Sequence, residues 1–464
     1  MKSPVAAELA LYFALAVSPA MAASLPSIAP VPTPEQRAWQ ELGTTLFAHF
    51  GINTFTDREW GDGKEDPKLF NPAKLDARQW VRAAKAGGFK LMILTAKHHD
   101  GFCLWPSQYT EHSVKNAAWR EGKGDVVREF TTACRAGGMK VGIYLSPWDR
   151  HEPSYGTEAY NRHFTNQLTE LLTQYGKIDE VWFDGACGEG PNGKKQVYDW
   201  PAFYRTIRAL APQAVIAISG PDIRWVGNES GLARPGESSV QKADPAIHGH
   251  ERTIWWPAEC DVSIRPGWFY HAAQDREVKP LAHLLDLYFK SVGRNSVLLV
   301  NVPPNRDGLF ADPDVRRLEE FGNAVRAMFA RDLAQGQRVK CLTQRSGRAY
   351  SPQRAVDGKA DTFWAAPDGA TNGVLTVSFE TPQPINLVLL REPFWLGERA
   401  QSYRLEAEVQ PGQWQPLAAG SVIGVENLVN FPEVTARAVR LSIDSSRASP
   451  AISQFSVYRR SLTP

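Results

Sequence analysis

Polar and aromatic side chains follow several of the predicted strands of this chain, at the points where those strands end. Histidine, tyrosine and glutamate can hydrogen-bond to substrate hydroxyl groups, and tryptophan can stack on an apolar face. Because the carboxyl ends of parallel strands meet at one edge of a sheet, we expect these side chains to line a single site. They are His49, Glu59, Trp60, His98, His99 and Tyr144.

Asp184 is the residue whose position most strongly indicates chemistry. It follows Val181, Trp182 and Phe183, and a strand with a period of two would place Trp182 and Asp184 on the same face. A carboxylate there costs free energy unless it is paired or used. Gly185 lets the chain turn away and leaves the carboxylate approachable. A structural ion pair is the alternative.

The segment His98-His99-Asp100 raises the question of a metal site. A zinc ion normally needs three protein ligands with a settled geometry. Adjacent histidines on a strand point to opposite sides and chelate one ion poorly. We therefore predict no catalytic metal, and we expect the cluster to hydrogen-bond to substrate hydroxyl groups.

Short apolar segments alternate with amphipathic segments along the first two thirds of the chain, which is typical of strands and helices in turn. This alternation predicts a parallel sheet, closed as a (β/α) TIM-like barrel over residues 35–335. A doubly wound open sheet is the alternative, but the sequence has no glycine-rich phosphate fingerprint. The predicted strands are residues 46–55, 90–96, 140–145, 180–184, 214–219, 253–257 and 296–300. The predicted helices are residues 77–85, 126–135, 160–175, 201–210, 281–292 and 314–329.

The pattern changes near residue 340, where short alternating strands separated by turn residues begin. We predict a second domain, an all-β sandwich or jelly roll over residues 342–462, joined to the barrel by residues 330–338. Its expected strands include residues 375–379, 387–391, 403–409 and 438–443.

The amino terminus has the composition of an export signal. Lys2 precedes the apolar segment 9–17, and Ala20-Met21-Ala22 offers small residues for cleavage, so residues 1–22 are predicted to be a signal peptide. The apolar segment is shorter than the ~20 residues of a membrane span. We expect an exported protein without a membrane span, in the periplasm or outside the cell.

Composition argues against some classes of partner. The formal net charge is +2 and there is no long basic run, so nucleic acid is not expected as a partner. The five cysteines are scattered without a C-x-x-C pair, and we expect them to be mostly free or buried thiols. The 15 tryptophans form either a large aromatic core or surfaces that stack on sugars. The sequence carries no signal for an oligomeric state.

Five segments occur in an order that one family shares. They are His49-Phe50-Gly51, Glu59-Trp60-Gly61, Lys97-His98-His99-Asp100-Gly101-Phe102, Tyr144-Leu145-Ser146-Pro147-Trp148 and Trp182-Phe183-Asp184-Gly185. Together they resemble the α-L-fucosidases of glycoside hydrolase family 29, over roughly residues 39–310. The resemblance implies that Asp184 is the nucleophile of a retaining reaction with a covalent fucosyl-enzyme intermediate. It also implies that the six strand-end residues named above hold the hydroxyls of fucose and stack on its ring, and that Arg224 lies near the acid/base.

Two further segments resemble members of that family that are specific for α-1,3/1,4-linked fucose. They are residues 185–193 and Trp225-Val226-Gly227-Asn228-Glu229. By this resemblance Glu229 is the acid/base, with Glu237 and Glu259 as rivals, and the substrate is a Lewis-type oligosaccharide or glycoconjugate. A broad linkage preference that includes α-1,2 bonds is the first alternative. A catalytically silent glycan-binding protein is the second, although both carboxylates are in place.

The segments Ala355-Val356-Asp357-Gly358 and Asp361-Thr362-Phe363-Trp364 resemble the discoidin-type carbohydrate-binding fold of the coagulation-factor C domains. The resemblance implies a module that binds galactose-containing glycans and sometimes calcium. Asp357 and Asp361 are either ligands of a structural calcium ion or residues that shape a turn. Trp395 and Trp414 are either sugar platforms or core residues. No other cofactor is expected.

Overall fold

A computed structural model of the protein describes residues 24–460. The predicted signal peptide, residues 1–22, lies outside this range. Within it, no helix is long and apolar enough to cross a membrane. All five cysteines fall in this range and are free thiols; Cys103, Cys134 and Cys260 are buried, Cys187 is exposed and Cys341 is half-buried.

The first domain is built on a parallel sheet of eight strands, and a small hairpin, β7 with β8, lies beside it. The strands are β1 Thr44–Ala48, β2 Leu91–Lys97, β3 Lys140–Leu145, β4 Glu180–Phe183, β5 Val215–Ile218, β6 Arg224–Trp225, β7 Val240–Lys242, β8 Thr253–Trp255, β9 Ala258–Ser263 and β10 Val297–Asn301. The order in the sheet is β5-β4-β3-β2-β1-β10-β9-β6. A single bridge between Ser219 and Arg224 links its two ends. The sheet is therefore a near-closed, TIM-like barrel, and the predicted fold class is confirmed.

Helices cover the outside of the barrel, and their ends follow local sequence signals. They are α1 Pro34–Gln40, α2 Ile52–Thr56, α3 Ala77–Ala86, α4 Val126–Ala136, α5 Glu158–Gln174, α6 Trp200–Leu210, α7 Pro245–His248, α8 Leu281–Lys290 and α9 Asp312–Met328. The carboxylates of Asp76 and Asp125 accept hydrogen bonds from backbone N–H groups in the first turns of α3 and α4. Both helices stop before a glycine with positive φ, Gly88 at 87° and Gly138 at 69°.

Alternate residues of each barrel strand face two different cores. Trp182 points into the barrel and packs with Phe47 and Tyr144, whereas Val181 and Phe183 face the surrounding helices. This is the alternation that a period of two predicts. Full burial of each such side chain contributes roughly 2 kcal/mol, so both faces of the sheet hold it in place.

Two strand predictions in the barrel were wrong in detail. The segment 46–55 is a strand only to Ala48, and its second half forms α2, because a short buried apolar run fits a helix as well as a strand. The segment 253–257 supplies β8, which pairs with β7 outside the barrel. The barrel strand is the following segment, β9, which contains charged residues that hid it from a search for apolar runs.

The second domain is an antiparallel β-sandwich. Its strands are β11 Arg338–Cys341, β12 Trp364–Ala365, β13 Gly373–Arg391, β14 Ala400–Gln410, β15 Gln413–Gly420, β16 Asn427–Ser446, β17 Ala451–Ile452 and β18 Gln454–Tyr458. The main sheet has the order β11-β13-β16-β14-β15, with β18 on β13. The two predicted strands 375–379 and 387–391 are one strand with a register shift between Ser378 and Gln383. The sheet already begins at Arg338, earlier than the predicted boundary.

The carboxylate of Glu398 ties the second domain to the barrel. Glu398 is 4% exposed and accepts hydrogen bonds from the Ser238 hydroxyl, the Ser239 N–H at 2.7 Å and the Asn295 amide at 2.9 Å. The Asn295 amide also donates to the carbonyl of Glu237 at 3.1 Å. A carboxylate of the sandwich therefore fixes the segment of the barrel that follows β6.

Glu398→Ala is expected to lower the free energy of unfolding by about 3 kcal/mol, because it removes an acceptor from three donors, among them the buried Ser239 N–H. Urea denaturation followed by circular dichroism measures this. Glu433→Ala is the matched control: Glu433 pairs with Arg459 on the surface, and its loss should change stability by less than about 1 kcal/mol. Equal effects of the two substitutions would contradict this assignment.

Candidate active site

Most of the residues predicted from strand ends meet at the carboxyl mouth of the barrel. The His49 ring centroid lies 5.8 Å from that of His98 and 6.0 Å from that of Tyr144. The rings of His98 and His99 are 4.1 Å apart. Trp60 approaches His99 edge-on at 5.8 Å and is 58% exposed. Three buried histidines and a buried tyrosine thus form a polar floor below an exposed tryptophan.

Asp184 lies directly after β4 at this floor, with 28% of its side chain exposed. One oxygen accepts the backbone N–H of Ala186 at 2.7 Å, and the other accepts the Tyr144 hydroxyl at 3.3 Å. His99 Nε2 is 3.7 Å from the same second oxygen. The carboxylate is therefore held in one orientation and remains reachable from the mouth.

The hydrogen-bond network fixes which nitrogen of His99 carries the proton. The Ser146 hydroxyl donates to the carbonyl of Trp148 at 2.6 Å, so it must accept from His99 Nδ1 at 2.7 Å. In the neutral ring Nε2 is then an acceptor that faces Asp184. Because two acceptors do not bond, this pair is arranged to receive a donor, such as a substrate hydroxyl, between them.

His49 and His98 complete a set of unlike hydrogen-bonding groups. The Asn301 amide donates to Ser263 and to the Trp268 carbonyl, so its oxygen accepts from His49 Nδ1 at 2.9 Å and leaves His49 Nε2 as an acceptor. The amide of Asn53 donates to His98 Nδ1 at 3.5 Å, which leaves His98 Nε2 as a donor. Two acceptors and one donor suit hydroxyl groups, which can both donate and accept.

Burial keeps these three histidines neutral. It lowers the pKa of His49 to about 3, although the hydrogen bond to Asn301 acts in the opposite direction. It lowers the pKa of His99 to about 4 against the attraction of the Asp184 carboxylate. Burial also holds the pKa of His98 well below its usual value. The tautomers deduced from the network therefore apply at neutral pH.

His98 and His99 do not point to opposite sides, contrary to the strand-based expectation. The pairing of β2 with β3 shifts register between Thr95 and Lys97, and the chain turns immediately afterwards. Both rings therefore enter the site. Among residues 24–460 there is no group of three or more His, Cys, Asp or Glu side chains arranged to hold a metal ion.

Glu59 and Glu229 both contact the loop that carries Trp268. Glu59 accepts the backbone N–H groups of Trp268 at 2.8 Å and Phe269 at 3.2 Å. The Trp268 indole N–H donates to Glu229 at 3.3 Å, and its ring centroid lies 5.1 Å from that of His49. Glu229 itself is exposed, on the loop after β6. Glu59 thus positions the loop, and Trp268 connects the floor to Glu229 at the rim.

Arg224 and the two rival glutamates pair with residues outside this group. The guanidinium of Arg224 forms a buried ion pair with Glu237 and donates to the Trp256 carbonyl at 3.1 Å. Glu259 is fully buried in the barrel and accepts the Trp182 indole N–H at 2.7 Å. The charge of Arg224 is therefore neutralised by Glu237, and Glu259 is closed to solvent.

Several residues at the mouth were missed by sequence reasoning. Trp148 and Trp225 lay within the motifs but were given no role, although aromatic residues after strand ends were a usable signal. Asp261, Trp268 and Asn301 had no such signal. Asp261 belongs to the unrecognised strand β9, and Trp268 lies in the loop beyond it. Asn301 ends β10, one residue past the predicted strand.

The predicted features of the second domain are occupied by neighbouring side chains. The Asp357 carboxylate accepts the Thr362 hydroxyl at 2.8 Å and the Lys359 N–H at 3.0 Å, as in a turn. The Arg37 guanidinium lies 4.4 Å above the Trp395 ring. Arg440 lies 4.0 Å above Trp414. Both tryptophan rings are therefore covered on one face by an arginine.

A carboxylate, neutral hydroxyl-binding groups and exposed indole rings at the mouth of a barrel define a carbohydrate-active enzyme. Residues 34–328 match the family described as Alpha-L-fucosidase, and residues 338–456 match the F5/8 type C domain. The chain belongs to the α-L-fucosidase family of glycoside hydrolases, with a discoidin-like second domain.

Known α-L-fucosidases resemble the chain over two thirds of its length or more. The chain is 42% identical over 451 residues to alpha-L-fucosidase 1 of Arabidopsis thaliana. The aligned region covers 93% of this chain and 88% of the plant protein. A Ruminococcus gnavus GH29 fucosidase, solved in complex with fucose, superposes with a TM-score of 0.88 at 33% identity. The match covers 95% of this chain and 97% of that structure. Alpha-L-fucosidase of Branchiostoma floridae is 34% identical over 347 residues. That alignment covers 69% of this chain and 70% of the Branchiostoma protein.

The three site histidines are expected to stay neutral from about pH 5.5 to about pH 8, with the proton on Nδ1 in His49 and His99 and on Nε2 in His98. Two-bond ¹H–¹⁵N correlation spectra of histidine-labelled protein distinguish the tautomers, with assignment by single His→Gln variants. Free histidine in the same buffers titrates near its ordinary pKa of about 6.5 and is the positive control. A site histidine that titrates near pH 6.5 would contradict the deduced network.

Proposed function

We propose that the protein is a retaining exo-α-L-fucosidase that releases α-1,3/1,4-linked fucose from Lewis-type glycans. The observation that carries this proposal is the Asp184 carboxylate, oriented by two donors beside the histidine floor, with exposed tryptophans nearby. The matching family indicates that the sugar released is fucose, and the two carboxylates, Asp184 and Glu229, fit a retaining mechanism. The proposal includes no metal or organic cofactor, because two carboxylates carry both half-reactions.

In the first half-reaction an oxygen of Asp184 forms a bond to the anomeric carbon while the bond to the leaving oxygen breaks. Glu229, in its acid form, gives its proton to that oxygen, and the released sugar leaves as an alcohol. Trp268 donates to one oxygen of Glu229, which leaves the other free to carry the proton. The product is a fucosyl ester on Asp184.

In the second half-reaction the Glu229 carboxylate takes a proton from water, and the water oxygen attacks the anomeric carbon. The ester bond breaks, Asp184 leaves as a carboxylate, and fucose is released with its original anomeric configuration. The acceptor nitrogens of His49 and His99 and the donor of His98 would hold the sugar hydroxyls through both steps. The buried histidine floor would hold a single terminal sugar, which suits exo action.

The linkage rests on the two segments that resemble the α-1,3/1,4-specific members of the family. The open rim supports it, because in Lewis glycans the sugar that bears fucose also bears galactose. Glu229 is exposed, and Trp225 and Trp60 are 41% and 58% exposed. Such a rim can accept a branched leaving group. The sequence pattern of residues 1–22 further supports export to the periplasm or the cell exterior.

The mechanism predicts that azide distinguishes the two carboxylates. With α-L-fucosyl fluoride, Asp184→Gly plus azide should give β-L-fucosyl azide, since azide replaces the nucleophile on its own face. Glu229→Ala plus azide should give α-L-fucosyl azide, and without azide should lose about 10²- to 10⁴-fold in kcat/KM on an unactivated oligosaccharide. Proton NMR of the products decides the anomer. The same anomer from both variants would contradict the assigned roles.

The linkage predicts fast release of fucose from Lewis a or Lewis x trisaccharide and slow release from 2'-fucosyllactose. The ratio of the two kcat/KM values, measured by anion-exchange chromatography of free fucose, is expected to exceed about 100, equivalent to roughly 2.7 kcal/mol in the transition state. Equal cleavage would establish broad linkage preference instead. No release from either would favour a glycan-binding protein without activity.

A further inference from the structure

Trp225 is an exposed indole ring at the rim, and the mechanism above assigns it no specific contact with the substrate. It is the second of the two residues of β6. The first, Arg224, is buried in its ion pair with Glu237. The Trp225 side chain is 41% exposed. An indole ring that stays exposed near the mouth of the barrel is available to stack on a ligand.

A buried carboxyl group holds the Trp225 ring in position. The indole N–H donates to Asp261 Oδ1 at 2.7 Å. Asp261 is 4% exposed and lies on β9, the strand that pairs with β6. A short hydrogen bond to a buried group fixes the plane of the Trp225 ring.

Asp261 also locates Trp225 relative to the proposed catalytic pair. Burial, together with the charges of Glu229 and Asp184, raises the pKa of Asp261 to about 7. Trp225 is in direct contact with Asp261, and Glu229 is four residues further along the same loop. The exposed ring therefore stands beside the acid/base, at the rim.

The chemistry of glycoside cleavage determines what this ring can touch. The acid must reach the glycosidic oxygen, which joins fucose to the next sugar. On one side of that oxygen, the histidines of the floor bind the fucose hydroxyls in the proposed mechanism. Trp60 packs edge-on against His99 and against Trp148, on this same side. A ring on the rim next to Glu229 is left to face the sugar on the other side.

We propose that Trp225, held by Asp261, is the stacking platform for the pyranose ring to which fucose is attached. The inference rests on the proposed role of Glu229 and extends it to the substrate. The C–H face of a pyranose ring packs on the indole face, and the hydrogen bond to Asp261 preorganises that face before the sugar arrives. Asp261 is thus a positioning residue for specificity.

The test compares two substrates that differ in the presence of the second sugar. One is the best oligosaccharide of a panel of Lewis a, Lewis x and 2'-fucosyllactose; the other is α-L-fucosyl fluoride, whose leaving group has no ring to stack. For Trp225→Ala, the ratio of kcat/KM for the oligosaccharide to that for the fluoride should fall about 10- to 100-fold, mainly through KM. Trp225→Phe keeps a ring and should lose less.

Asp261→Ala removes the acceptor without adding volume, and its ratio should fall about fivefold or more because the ring is no longer fixed. Asp261→Asn keeps an acceptor oxygen and should restore most of the ratio. Trp414→Ala, the same exchange in the second domain, is the matched control and should leave the ratio unchanged.

The outcomes separate this inference from the proposed function. An unchanged ratio in Trp225→Ala would overturn the platform while leaving the fucosidase mechanism intact. Failure of the unsubstituted enzyme to hydrolyse the fluoride would overturn the proposed mechanism itself. Hydrolysis of the fluoride without cleavage of any oligosaccharide in the panel would overturn both the linkage and the platform.

Discussion

The pairing of tryptophan indole N–H groups with carboxyl groups is the interaction on which the barrel depends. A carboxyl group inside a dry barrel costs several kcal/mol unless donors satisfy it. Tryptophan provides a donor and a large apolar surface in one side chain, so it can fill the interior and satisfy the acid together. The pairs with buried acids are Trp39 with Glu180, Trp182 with Glu259 and Trp225 with Asp261. Trp268 makes the same kind of pair with the exposed Glu229 at the rim.

The same pairing has different chemical consequences at different depths. Burial raises the pKa of Glu180 to about 8 and holds that of Glu259 well above its usual value, so at neutral pH these acids are largely protonated parts of the core. Asp261 lies two residues closer than Glu259 to the carboxyl end of β9, and burial raises its pKa to about 7. Glu229 and Asp184 lie at the mouth, where water and substrate can reach them. Exposure therefore separates structural acids from the proposed catalytic ones.

The second domain takes part in the geometry of this mouth although its own tryptophans are covered. Glu398 binds Ser239 and Asn295, Asn295 binds the backbone of Glu237, and Glu237 neutralises Arg224 beside Trp225. Each link is a buried hydrogen bond or ion pair. The sandwich therefore supports the strand that presents Trp225, and this connection between the domains could not be read from the sequence, because its residues lie up to about 170 positions apart.

The sequence by itself determined the barrel, the sandwich and the family, because the alternation of apolar segments and the order of the motifs are local properties. It also placed His49, His98, His99, Tyr144 and Asp184 at strand ends. Only the tertiary structure decided that Arg224 faces Glu237, that Glu59 holds the Trp268 loop, and that Asp261 and Asn301 belong to the site. These outcomes depend on which side chains meet across strands, and no spacing along the chain encodes such contacts. Strand β9 shows why: its interior-facing acids are compatible with a buried strand only because tryptophans from other strands satisfy them.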